Sequence, residues 1–307
     1  MTAFRKASAL AAALAAVAAL ALLAPPAGAA TADFTIALPG ATGTEGVAEG
    51  AGSTFYAGDL LTGDVYRGDV HQRTATKFVD APAGRFATGM KADLRDHLLF
   101  VAGGPTGQGY AYSTVTGAPV ASYSFATAPT FINDVALTDA GAWFTDSARS
   151  VLYFVPVRRG TPGASSTLQL SGPAAALGGA FNNNGIQATA DGSRLLVAHT
   201  AQGAVNVVNP RTGASRAIRG LSVPNVDGIL LEGRTLWVVR NNDNLVVKAQ
   251  LSGDLRSGTV RRAITTSLFE TPTTLALSGG HLVVANAKFD TGFPPTATHY
   301  EVVVIDR

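Results

Sequence analysis

Six positions carry polar side chains at the head of a recurring pattern: Glu45, Thr88, Asn133, Asn184, Asp227 and Thr273. Four of them offer carboxylate or amide oxygens, and the chain has no cysteine at all. Two carboxylates and two amides, without His or Cys, form a ligand set for a hard divalent cation. Calcium fits best, with Mg2+, Mn2+ or Zn2+ as the alternatives and a dedicated zinc site the poorest match. A cation so held polarises a carbonyl and lowers the pKa of water, which is hydrolytic chemistry. Asn-Asp, Asn-Gly and Asp-Gly are also common turn dipeptides, because these residues tolerate left-handed backbone angles. One such pair at a strand start reads as a turn; four in register are harder to explain that way.

The pattern that would position them is a polar start, a short apolar strand, a turn and a second, more apolar strand. It opens at TEGVAEGAGSTFYAGD and recurs at TGMKADLRDHLLFVAG and NDVALTDAGAWFTDS. The later copies are NGIQATADGSRLLVAHT, DGILLEGRTLWVVRN and TTLALSGGHLVVANA. With Gly46, Gly89, Asp134, Gly185, Gly228 and Thr274 taken as equivalent, the steps are 43, 45, 51, 43 and 46 residues. Six copies at that period predict an all-β, six-bladed β-propeller of four-stranded antiparallel blades. A β-sandwich or a two-domain all-β protein is the alternative, but neither requires a constant step. The strand-like segments at 33–38 and 300–305 are expected to pair within one blade and close the ring. The runs LLFV at 98–101, LLVA at 195–198, LWVV at 236–239 and LVVA at 282–285 read as core. Trp143 and Trp237, at equivalent places, read as packing residues.

The totals sharpen this picture. Of 307 residues, 47% are hydrophobic and only 14% charged, which excludes a disordered chain. The absence of cysteine excludes a disulfide scaffold, a thiol nucleophile and a lipoprotein anchor. Arg5 and Lys6, an apolar run at 7–24 and the small residues at 27–30 read as a secretory signal over residues 1–29. Its removal leaves a single propeller domain at 30–307, secreted and extracellular, with 21 basic and 21 acidic residues. A neutral mature chain without a basic stripe predicts no nucleic-acid partner. No membrane partner is expected after cleavage, and the protein is expected to be a monomer.

The runs NGIQATADGSRLLVAHT, VDGILLEGRTLWVV and NDVALTDAGAWFTDS resemble blades of the regucalcin/gluconolactonase-like (senescence marker protein) family. The likeness spans residues 44 to about 290. Members of that family are six-bladed propellers with one divalent metal in the central channel, and several hydrolyse sugar lactones or related esters. The resemblance implies metal ligands at Glu45, Asn184 and Asp227, a substrate-binding role for Asn133, and a catalytic acid/base role for Asp227. The family's sugar-lactone hydrolases carry an Arg two residues before the Asn of blade three, where this chain has Phe131. Loss of that bidentate donor predicts a substrate less polar than a sugar acid lactone. The expected function is thus a metal-dependent hydrolase of a small-molecule lactone or related ester. The alternative is a non-catalytic extracellular propeller that binds a ligand or protein, with a structural ion.

Other candidates are weaker. The five histidines are scattered without H-x-H or HExxH spacing. His199 ends an apolar strand and reads as structural before it reads as a pocket residue. No G-x-S-x-G elbow occurs, and GGPTGQG at 103–109 reads as a turn. The polar cluster at 241–244 reads as a hairpin loop.

Overall fold

The computed structural model describes residues 32–307, so the leader expected at 1–29 lies outside them. Among the described residues, six antiparallel sheets follow one another along the chain. Blade 1 runs Val47–Glu49, Thr54–Gly58, Val65–Asp69 and Thr74–Val79; blade 2 runs Met90–Asp93, Leu98–Ala102, Gln108–Ser113 and Pro119–Ser124. Blade 3 comprises Ile132–Thr138, Gly141–Asp146, Val151–Arg158 and Ser166–Gln169, with the short strand Thr161–Pro162 beside the third. Blade 4 comprises Asn183–Ala188, Leu195–His199, Ala204–Val208 and Ser215–Ala217. Blade 5 follows with Val226–Glu232, Thr235–Arg240, Leu245–Leu251 and Gly258–Ile264. Blade 6 takes Pro272–Ser278, His281–Asn286 and Glu301–Ile305 from one end of the domain and Phe34–Ala37 from the other. Each blade's inner strand packs on the next, and that of blade 6 packs on that of blade 1. The fold is a six-bladed β-propeller.

Ring closure follows the expected pairing. Phe34 lies opposite Val304 and Ile36 opposite Val302, while Val303 on its other edge faces Val284. A strand drawn from the start of the domain therefore shields an edge that would otherwise stay open.

The continuous apolar runs have a simple cause. Side chains alternate across a strand, and every blade is sandwiched between two others, so both faces need apolar residues. Leu195 and Val197 pack toward blade 3 with Trp143 and Leu152, while Leu196 and Ala198 pack toward blade 5 with Leu236 and Val238. Six such clusters fill the six interfaces between blades. Trp143 and Trp237 are both buried in them. The outermost strands, such as PVASYS at Pro119–Ser124, are largely exposed and polar.

The inner strands meet the channel with an irregularity. In blades 3, 4, 5 and 6 the register with the second strand shifts between Ile132 and Val135, Asn183 and Ile186, Val226 and Ile229, and Pro272 and Leu275. The residues inside those shifts are Asn133-Asp134, Asn184-Gly185, Asp227-Gly228 and Thr273-Thr274. A bulge releases side chains from the regular alternation and re-aims them. Asn133, Asn184 and Asp227, released in this way, line one cavity.

Candidate metal and active site

Glu45, Asn133, Asn184 and Asp227 all line one cavity of about 270 Å3 at the end of the channel where the inner strands begin. They come from blades 1, 3, 4 and 5, and each is at most 5% exposed. The other two repeat heads do not join them. Thr88 donates its hydroxyl to the carbonyls of Ala102 and Ile132, and Thr273 donates to the carbonyl of Glu45 at 2.6 Å. Both threonines are consumed in stitching neighbouring blades together.

The residue after each head also has a defined task. A Cβ on Gly185 would lie 2.5 Å from the Asp227 carbonyl oxygen, and one on Gly228 would lie 2.7 Å from Thr274 Cα. Glycine is required there because the inner strands converge. Where the position is not glycine, its side chain bridges the gap. Asp134 accepts from the Ile186 amide at 3.1 Å, and Thr274 accepts from the Val47 amide at 2.9 Å.

The four residues each present one bare oxygen. Glu45 Oε2, Asn133 Oδ1, Asn184 Oδ1 and Asp227 Oδ1 are buried and have no hydrogen-bond partner. Buried acceptors without partners are expensive, and natural folds seldom leave several together without something to bind.

The orientation of three of them, on Asn133, Asn184 and Asp227, is set by a second ring of residues. Asn133 Nδ2 donates to Ser147 Oγ at 3.1 Å, and Ser147 donates onward to the Asn183 carbonyl. Asn184 Nδ2 donates to Thr200 Oγ1 at 3.1 Å, and Thr200 donates onward to the Val226 carbonyl. Asp227 Oδ2 accepts from Asn241 Nδ2 at 2.8 Å. Each hydroxyl has already given its proton to a backbone carbonyl, so it can only accept from the asparagine amide. That assignment leaves the amide oxygen facing the cavity. The chemistry is matched pairwise: an amide ligand meets a hydroxyl acceptor, and a carboxylate ligand meets an amide donor. Such outer partners fix ligand orientation in metal sites.

Ser147, Thr200 and Asn241 were not legible as site residues, and the reading of 241–244 as only a hairpin loop is corrected at Asn241. A signal was present: each partner lies 14 or 16 residues after its ligand, just past the end of the second strand. Blade 6 shows the contrast, since Ala287 stands 14 residues after Thr273 and can orient nothing.

His199 is structural. It belongs to a set with Asp146, Arg240 and Asn286, all at the ends of second strands, each binding the backbone of the loop that enters its blade. His199 Nε2 bonds the Ala176 carbonyl at 3.0 Å, and burial lowers its pKa. Asp146 accepts from the Phe131 amide, Arg240 donates to the Pro224 carbonyl and Asn286 accepts from the Glu270 amide.

The cavity is electrically uncompensated. No Lys, Arg or His lines it. Burial raises the Glu45 carboxyl well above its ordinary value, reinforced by the charges of Asp227 and Asp134. Burial likewise pushes Asp227 from 3.8 up to about 7, against the hydrogen bond from Asn241. Among the described residues no three of His, Cys, Asp and Glu come together, so the donor set is two carboxylates and two amide oxygens. That set suits the oxygen-loving calcium ion and fits zinc poorly. A cation would neutralise the paired carboxylates and supply partners to all four bare oxygens.

The opposite wall is apolar. Leu60, Phe131, Phe181, Phe289 and Phe293 line it, and Phe131 stands edge-on to Phe181 with ring centroids 5.2 Å apart. A larger cavity of about 560 Å3 lies on the flank between blades 1 and 2 and is lined mainly by exposed residues. Asp69 there accepts from Ser53, His71 and Gln72, and the Arg67 guanidinium lies over Phe78. None of its lining residues carries a buried side-chain nitrogen or oxygen without a partner.

No family model matches the sequence. No curated protein matches it either. Solved structures match at the level of architecture. A luciferin-regenerating enzyme superposes with a TM-score of 0.62 at 14% identity, over 87% of this chain and 92% of that one. A protein from Lactobacillus plantarum gives 0.57 at 17% identity, over 79% and 77% of the two chains. The major Malassezia sympodialis allergen Mala s 1 gives 0.62 at 14% identity, over 83% and 90%. The chain shares their propeller fold. At such identities the fold is what is held in common, and chemistry must be argued from the cavity itself.

The raised carboxyls carry a consequence for stability. An acid whose folded pKa exceeds its unfolded value binds more protons when folded, so stability falls as pH rises between the two values. For Asp227 that window runs from about 4 to about 7. Metal-free protein should therefore lose on the order of 2–4 kcal/mol across it through this group. Asp227→Asn should flatten the slope and melt higher than the parent at pH 8 without metal. Urea titrations from pH 5 to 8 in EDTA check this, and an identical slope in both proteins would refute it.

Proposed function

We propose that this protein is a secreted, divalent-metal-dependent hydrolase of a small lactone or related ester, with calcium as the resident ion. The observation that carries the reading is the convergence of four buried, partnerless oxygens from four blades beside an apolar wall. The blade motifs that resemble the regucalcin/gluconolactonase-like family support it. So does the basic, apolar and small-residue leader, which is the basis for placing the protein outside the cell. One structural neighbour, the luciferin-regenerating enzyme, is itself an enzyme.

Glu45 Oε2, Asn133 Oδ1, Asn184 Oδ1 and Asp227 Oδ1 would hold the ion. When bound, it would supply Lewis acidity toward a substrate carbonyl and make water more acidic. The chain's own residues do the remainder. Asn133, whose Nδ2 keeps one hydrogen beyond the one given to Ser147, orients the substrate carbonyl. Asp227, whose Oδ1 would face the ion, accepts a proton from the attacking water at Oδ2, the oxygen that Asn241 orients. Water oxygen bonds the carbonyl carbon, the ring or ester C–O bond breaks, and Asp227 returns the proton to the departing alkoxide. The product is the hydroxy acid, or the acid and alcohol from an open ester. A substrate that covers the apolar wall would displace bulk water from these contacts.

Calcium-loaded protein should open simple γ-lactones or cleave aryl acetates, and EDTA should abolish turnover with recovery on adding calcium back. Hydrolysis that persists in metal-free protein would refute the reading. Calcium-dependent melting with no turnover of either class would favour the non-catalytic binding propeller instead.

A further inference from the structure

The wall facing the oxygen cluster is built of phenylalanine, and its construction specifies what the cavity accepts. Phe131 and Phe181 meet edge-to-face at 5.2 Å, Phe181 and Phe293 at 6.5 Å, and Phe289 and Phe293 at 5.4 Å. The four rings form one continuous arc. They come from three separate segments: the entries to blades 3 and 4, and the connection that follows the second strand of blade 6. Phe131 lies two residues before Asn133 and Phe181 three before Asn184, so the loops that deliver two cavity oxygens also deliver two rings.

These rings are not core. Phe131, Phe181 and Phe289 are half-buried, and Phe293 is 64% exposed. None belongs to the clusters that hold the blades together. An aromatic surface assembled from distant segments and left open around a polar site marks a ligand-binding wall.

The polar inventory points the same way. Apart from the oxygen cluster, the lining offers only Thr200, Asn241 and Asn242 as polar side chains, and no cation. Thr200 spends its hydroxyl proton on the Val226 carbonyl, and Asn241 gives one of its two amide hydrogens to Asp227. A polyhydroxylated ring would turn its hydroxyls against phenyl faces and lose their hydrogen bonds to water, costing up to a hundredfold or more per buried group. An alkyl or aryl group would instead cover rings that now face solvent.

We infer that the cavity selects lactones or esters with an apolar body, the substituent packing in the arc of Phe131, Phe181, Phe289 and Phe293 while the carbonyl faces the oxygen cluster, and that sugar lactones are excluded. This rests on the hydrolase reading for its chemistry but not for its binding. A cavity of about 270 Å3 suits one lactone ring with a short chain rather than a long lipid.

The test uses the calcium-loaded full chain and γ-butyrolactones bearing no, ethyl, butyl or hexyl substituents, with gluconolactone as the polar comparison. Values of kcat/KM should rise about fourfold per methylene until the arc is filled, and gluconolactone should fall at least a hundredfold below the butyl compound. Phe181→Ala and Phe293→Ala should flatten the chain-length dependence while leaving calcium affinity unchanged, and Phe181→Leu should restore part of it. A flat series in the parent protein, or a preference for gluconolactone, overturns the inference. If no lactone is turned over, the hydrolase reading fails, and calorimetry with the matching γ-lactams decides recognition separately. Lactam affinity that climbs with chain length upholds the apolar arc, and affinity that is flat or absent refutes it.

Discussion

Asp227→Ala should abolish calcium binding at micromolar to millimolar concentrations and lower kcat/KM on a responsive lactone by on the order of a thousandfold or more. The residue sits where three functions meet. Its Oδ1 is one of four bare oxygens, its carboxylate is one of the two that line the cavity, and its Oδ2 is held by Asn241 where a proton can be passed. Removal takes away a ligand and the base together, so the loss should far exceed that of an outer partner. Asn241→Ala, which frees Oδ2 but keeps the carboxylate, should weaken calcium binding about 10- to 100-fold. Calcium titrations and lactone kinetics on both variants separate these effects. Calcium-dependent hydrolysis that survives in Asp227→Ala would remove this residue, and with it the mechanism, from consideration.

Gly185→Ala should be a damaging small change at the meeting of two inner strands. The new Cβ would lie 2.5 Å from the Asp227 carbonyl oxygen and 2.8 Å from Gly228 Cα, both backbone atoms of the adjacent inner strand. Backbone cannot rotate away as a side chain can, so the blades must part, at a cost of about 3 kcal/mol or more. For a domain of this size that is a fall in Tm of roughly 6–12 °C. Parting blades 4 and 5 also moves Asn184 away from Asp227, so calcium affinity should fall in step with stability. Gly253→Ala, whose Cβ would meet nothing within 4 Å, is the matched control and should leave both unchanged. A Gly185→Ala protein that melts with the parent would refute the close-approach account.

Much of the architecture was legible because propeller blades repeat their physics in sequence. Each second strand needs apolar residues on both faces, which writes runs such as LLVA and LWVV at a constant step. Each inner strand needs a small or bridging residue where it nears the axis, which writes Gly46, Gly89, Gly185 and Gly228. The pairing of Phe34–Ala37 with Glu301–Ile305 followed from the need to close the ring.

The cavity was legible only in part. Glu45, Asn133, Asn184 and Asp227 shared a repeat position with Thr88 and Thr273, and nothing local separates the two groups. They part because each threonine hydroxyl finds a carbonyl within reach on a neighbouring strand, a fact of three-dimensional proximity. The aromatic arc was hidden for the same reason. Phe131, Phe181, Phe289 and Phe293 are far apart in the chain and follow no common repeat position.

By itself, then, the sequence determined the fold class, the blade period, the closure of the ring and the oxygen-rich heads of the repeats. All of these are periodic demands that recur at every copy. Tertiary structure alone decided which heads face the cavity unpaired, which partners at 14 or 16 residues' distance orient them, and what wall stands opposite. Those depend on distances between blades, and a hydrogen bond or an apolar wall exists only once the ring has closed.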